Sequence, residues 1–202
     1  MSEPRPRLDT SGPARGAPGV VLILPGGRVD SLARAHRGPA YLRMLPFSRA
    51  IHRTFPDLAV WRLRYRYQGW NEPERHPVLD ARWALSEAAR LHPGAPVLLI
   101  GHSMGGRVAL LMAADPGVGG VCALAPWLEE SSPLVPCRGP LMIAHGARDR
   151  VTDPVASLSY AARVGSAYEL IPGEGHALLH RPRFWQDLVL KFVAVCRATL
   201  GA

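Results

Sequence analysis

Short apolar runs recur along the chain, separated by stretches with helical spacing. Segments 20–24 (VVLIL), 58–64 (LAVWRLR), 97–100 (VLLI), 121–125 (VCALA), 141–144 (LMIA) and 168–171 (YELI) read as six strands. Most are apolar without a break, the pattern of strands covered on both faces rather than one. Between them, segments 41–54, 78–91, 104–114, 154–164 and 183–199 read as helices. Segment 78–91 places Leu79, Trp83, Ala84 and Leu91 near one face, and Pro46 falls near the start of the helix over 41–54 or kinks it. Asp153 followed by Pro154 is an N-cap with proline at the first helical position. The alternation predicts an α/β fold: a mostly parallel sheet of about six strands with helices on both faces. Residues 1–18, rich in Pro, Gly and Arg and without periodicity, read as a disordered or loosely attached tail, leaving 19–202 as one domain.

Composition changes this picture little. Of 202 residues, 48% are hydrophobic and 20% charged, ordinary values for a globular chain. No apolar run approaches the roughly 18 residues of a membrane span. The first residues hold no apolar core of a secretory signal, so a cytoplasmic location is the expectation. The net charge of +8 raises the question of a nucleic-acid partner. Lys191 is the only lysine, however, and the arginines are scattered without forming a block, so no nucleic-acid partner is expected. Cys122, Cys137 and Cys196 are too far apart and too few for a disulfide framework or a zinc pattern, and Cys122 lies in an apolar run as a small buried hydrophobe.

The candidate chemistry begins at Gly101-His102-Ser103-Met104-Gly105, a G-x-S-x-G motif. The pattern is weak alone and gains meaning from a strand before it and a helix after it. Here VLLI precedes and RVALLMAA follows. Small residues two before and two after the serine permit a tight strand-to-helix turn. That turn lifts the hydroxyl above the carboxyl edge of the sheet and aims helix N-terminal N–H groups at a developing oxyanion.

A serine hydroxyl needs a base. Of eight histidines, His176 stands in Pro172-Gly173-Glu174-Gly175-His176, directly after the last predicted strand and on the same sheet edge as Ser103. His180 is the fallback. The base in turn needs a carboxylate, and Asp149, in the His145-Gly146-Ala147-Arg148-Asp149 loop after the fifth strand, is the better choice over Asp153, which the helix cap claims. His102 is expected to point away from the site and His145 to be structural. Met104 supplies one oxyanion N–H. The Pro25-Gly26-Gly27 loop after the first strand offers a second, assigned to Gly27, although the same residues also make an ordinary turn.

With LPGG, LLIGHSMGG, HGARDRV and PGEGH in this order, the chain from about Val20 onward resembles the α/β-hydrolase family. The resemblance implies serine chemistry and a fold in which nucleophile, acid and base follow in that order. Three features depart from the family pattern. No early antiparallel strands are expected, Pro25-Gly26 stands where many members have His-Gly, and APWLEESSPLVPCRG is too short for a cap domain. An open, lidless site follows.

The expected function is hydrolysis of a carboxylic ester or thioester through an acyl-enzyme, needing no metal or organic cofactor, on a small-molecule substrate. An acyltransferase with the same triad, or an idle ligand-binding member of the fold, stays open. Trp127 and Leu128 after the fourth strand, and Tyr67 and Trp70 after the second, are candidates for the substrate pocket; plain core packing is the competing role for each. The sequence leaves the oligomeric state open.

Overall fold

The computed structural model describes residues 3–200. Its elements, in order, are β1 (Arg7–Ser11), β2 (Val20–Leu24), α1 (Pro39–Leu42), α2 (Leu45–Thr54), β3 (Ala59–Arg64), α3 (His76–Leu91), β4 (Val97–His102), α4 (Met104–Leu111), β5 (Val118–Leu124), β6 (Leu141–Gly146), α5 (Pro154–Val164), β7 (Ala167–Ile171) and α6 (Pro182–Leu200). One seven-stranded sheet runs β1-β3-β2-β4-β5-β6-β7. Every pair is parallel except β1 with β3.

The unbroken apolar strands have the cause the sequence suggests. In β2, Leu22 and Leu24 face a core shared with α3 and α4, through residues such as Ala84, Leu85 and Val108. Val21 and Ile23 face the opposite core, shared with α2 and α6 through Phe47, Ile51, Trp185 and Val193. Alternate residues of one strand therefore bury on opposite sides, so no polar position is left.

Two expectations need correction. Residues 7–11 lie in the stretch read as a tail, yet they form β1, antiparallel to β3 with Arg7 opposite Arg64 and Ser11 opposite Val60. An early antiparallel strand is thus present, and the sheet has seven strands rather than about six. The strand escaped notice because an edge strand needs little apolar surface; RLDTS offers only Leu8, and Asp9 is held instead by Arg37 at 2.7 Å. The helix expected over 41–54 is broken into α1 and α2. Pro46 has no N–H and its ring excludes the carbonyl of Leu42, so the helix restarts with the proline in its first turn.

At α5 the Asp153 side chain accepts a hydrogen bond from the Val155 N–H at 2.8 Å, the expected N-cap. Between β5 and β6 the chain forms neither helix nor strand, and no cap domain covers the carboxyl edge of the sheet. No helix among the described residues is long and apolar enough to cross a membrane.

Candidate active site

The turn from β4 into α4 is tight. Ser103 adopts φ 56° and ψ −118°, a left-handed φ that a residue with a side chain rarely takes. The neighbouring glycines explain how the turn closes. A Cβ at Gly101 would overlap the Gly105 carbonyl, and one at Gly105 would overlap the carbonyl of Leu24 in β2. The turn is held on the other side by the Ser103 N–H donating to Leu124 O at 3.0 Å.

The loops after β6 and β7 bring their side chains to this serine. His176 Nε2 lies 3.0 Å from Ser103 Oγ, and His176 Nδ1 lies 2.8 Å from Asp149 Oδ2. With its proton on Nδ1, the imidazole donates to the carboxylate and accepts from the hydroxyl. Asp149 is fully enclosed, and its Oδ1 also accepts from the Val151 and Thr152 N–H groups at 2.7 and 3.0 Å. Burial alone would raise its pKa, but the hydrogen bonds from His145, His176 and these two amides outweigh it and hold the carboxyl well below the usual carboxylate range.

Two members of this network were not singled out from sequence. His145 is fully buried, and its Nε2–H donates to Asp149 Oδ2 at 3.1 Å while its Nδ1 accepts from the Ser157 hydroxyl at 2.8 Å. The structural role expected for it is therefore exercised on the carboxylate itself. Thr152 Oγ1 donates to the same Oδ2 at 2.9 Å and lies 3.2 Å from His176 Nδ1. The sequence signal was the spacing: His145 ends strand β6, and Asp149 and Thr152 stand in the loop that leaves it.

His102 also differs from expectation. Its Nε2–H donates to the backbone carbonyl of His176 at 2.9 Å, with the two rings 4.8 Å apart. Burial, reinforced by the adjacent His176, pushes its pKa down to about 3, so it is neutral and anchors the loop that carries the base. His180 is 76% exposed and sits 3.8 Å from the Glu174 carboxylate; Asp153 caps α5.

Gly27 packs where a Cβ would overlap the Met104 side chain. Met104 opens α4, so its N–H has no intrahelical acceptor. Among the described residues, neither the Gly27 nor the Met104 N–H makes a hydrogen bond. The Met104 N–H follows Ser103 directly in the chain, and Gly27 follows Gly26, which packs against Ser103.

The four aromatic and aliphatic pocket candidates separate. Trp70 and Leu128 are buried. Trp70 and Trp127 enclose the Arg107 guanidinium, whose carbon lies 4.6 and 4.5 Å from their ring centres. They pack around an arginine one helical turn past Ser103. Tyr67 is half-buried. A cavity of about 310 Å³ adjoins the Gly26-Gly27 loop, with Tyr67, Gln68, Arg28 and Arg64 in its walls.

A family model described as alpha/beta hydrolase domain matches residues 50–187. The chain belongs to the α/β-hydrolase family. Among solved structures, an alpha-beta serine hydrolase homologue from Coxiella burnetii shares 16% identity at TM-score 0.69, over 92% of this chain and 90% of that one. A serine hydrolase without lid from Xanthomonas campestris shares 16% identity at TM-score 0.72, over 94% and 87%. A monoacylglycerol lipase from Paleococcus ferrophilus shares 12% identity at TM-score 0.68, over 95% and 99%. These likenesses concern the fold. No curated protein matches the chain.

Proposed function

We propose that this protein is a serine hydrolase that cleaves a carboxylic ester or thioester through an acyl-enzyme. The observation that carries the reading is the unbroken chain Ser103 Oγ, His176, Asp149 at 3.0 and 2.8 Å, set on a strained turn that opens a helix at Met104. Ser103 Oγ attacks the substrate carbonyl while its proton passes to His176 Nε2, and Asp149 stabilises the resulting imidazolium. The tetrahedral oxyanion accepts from the Gly27 and Met104 N–H groups. Collapse expels the alkoxide or thiolate, which takes the proton from His176 and leaves the acyl group on Ser103. Water then attacks, giving its proton to His176, and the second tetrahedral species releases the acid and restores the serine. The Paleococcus neighbour, a monoacylglycerol lipase, supports esters as the substrate class.

The test is labelling with a fluorophosphonate probe alongside turnover of nitrophenyl esters. The wild-type chain should label at Ser103. Ser103→Ala should lose both labelling and roughly 10³-fold or more of turnover. Near-normal turnover by that variant would move the nucleophile elsewhere.

A further inference from the structure

We propose that the cavity beside the Gly26-Gly27 loop binds a carboxylate at the far end of the acyl chain, so that the preferred substrates are half-esters of short dicarboxylic acids. This rests on Ser103 being the nucleophile.

Sheet order fixes which half of the substrate faces the cavity. His176 and Asp149 follow β7 and β6, on one side of β4; the Gly26-Gly27 loop follows β2, on the other. The leaving oxygen must lie toward His176 to receive its proton. The acyl chain is then directed away from His176, past the Gly26-Gly27 loop whose Gly27 N–H faces the oxyanion. Gly26 touches the serine closely: a Cβ there would lie 3.3 Å from Ser103 Cβ. The same glycine forms part of the cavity wall.

The cavity's charge selects the occupant. Arg28 and Arg64 line it together with His36, and no aspartate or glutamate does. The nearest carboxylate, Asp9, is oversubscribed. It accepts from Arg37 at 2.7 Å and from the Tyr41 hydroxyl, and meets Arg64 only through Nε at 3.2 Å. Arg62 donates to that same Tyr41 hydroxyl at 3.0 Å. Arg37 and Arg64 thus share one carboxylate, which Arg62 reaches only through the Tyr41 hydroxyl, and Arg28 adds a further positive charge to the cavity wall. Arg64 is 22% exposed, and among the described residues its terminal amino groups make no hydrogen bond. A partly buried guanidinium with its fork unused is the group best suited to grip a carboxylate through two parallel hydrogen bonds. The volume, about 310 Å³, accommodates an acyl chain of several carbons with its terminal carboxylate.

The experiment compares monoethyl glutarate and monoethyl adipate with ethyl pentanoate and with uncharged diethyl glutarate, following acid release by pH-stat. In the wild type, kcat/KM for the better half-ester should exceed that for either neutral ester by about 10- to 100-fold, and the ratio should shrink as sodium chloride is raised. Arg64→Gln and, separately, Arg28→Gln should each lower that ratio, with Arg64→Gln bringing it close to one. Fluorophosphonate labelling and a thermal melt accompany each variant, so loss of fold is recognised as such, and the exposed Arg28 provides a second variant with little demand on the core. Intact labelling with no preference for half-esters would overturn the proposal and leave the nucleophile assignment standing. So would a preference that neither arginine variant nor salt alters. Absence of labelling at Ser103 would instead overturn the reading beneath it.

Discussion

Replacing His145 by leucine, a residue of similar volume, tests whether the second histidine on Asp149 matters. His145 is fully buried and provides one of three donors to Asp149 Oδ2, the others being His176 Nδ1 and Thr152 Oγ1. Its removal deletes a hydrogen bond to a charged group, worth about 1.5–3 kcal/mol, and strands the buried Ser157 hydroxyl at a further ~1–3 kcal/mol. Taken near the middle of both ranges, the loss is about 4 kcal/mol, which in a chain of this size lowers Tm by on the order of 10 °C. The double variant His145→Leu/Ser157→Ala removes the stranded hydroxyl and should recover the second share, so it melts above the single variant. With one donor fewer, Asp149 is held less firmly behind His176, so ester turnover should fall as well, by about 10-fold if roughly 1.4 kcal/mol of that support is lost at the transition state. Differential scanning fluorimetry and ester turnover measure the two effects. A variant with unchanged turnover and a Tm within a degree or two of wild type would refute the reasoning.

His102 should impose its own pH dependence on stability. Its pKa is about 3 in the folded chain against 6.5 when free, so between those values the unfolded chain binds a proton that the folded chain does not. Stability should rise with pH from about 3 to 6.5 and level off above; His102→Gln, which keeps a donor for the His176 carbonyl, should flatten that rise in urea titrations run at several pH values. Gly105→Ala drives a methyl into the Leu24 carbonyl and should cost about 1–3 kcal/mol of stability together with most of the turnover, whereas unchanged values for both would mean that the turn tolerates a side chain. With no cap over the site, added methylenes stay largely in water and contribute less than the ~0.8 kcal/mol of full burial. Among neutral esters kcat/KM should thus level off or fall beyond roughly four to six acyl carbons; a steady climb from acetyl to dodecanoyl would reveal a long apolar channel.

The buried strands were legible because their burial is two-sided and leaves an uninterrupted apolar run. β1 was not, since its one sheet neighbour and its exposed edge let it be built from RLDTS. Ser103, His176 and Asp149 could be placed together because each follows a strand at one edge of a parallel sheet, and topology does the rest. Chain order could not show that two further side chains, those of His145 at the end of β6 and Thr152 in the loop after it, would turn inward onto one carboxylate oxygen, because that depends on their rotamers. The aromatic residues were harder still. Trp127 and Trp70 stand in loops that border the site, but an arginine at the position after Gly106 draws both rings onto its own faces. Tyr67 has no such competitor and lines the cavity.

The enclosure of Arg107 also makes the site visible to light. Of five tryptophans, Trp70 and Trp127 have ring centres 6.0 Å apart at an interplanar angle of 71°, both against Arg107 of the helix that follows Ser103. Rings so close and so fixed couple their transitions and sit in an asymmetric field, giving a near-ultraviolet dichroism that Trp61 and Trp185, buried elsewhere in the two cores, do not share. Comparing wild type with Trp127→Phe isolates that component. The isolated band then follows the loops around the nucleophile separately from the melting of the sheet, and gives a readout of local order that needs no substrate.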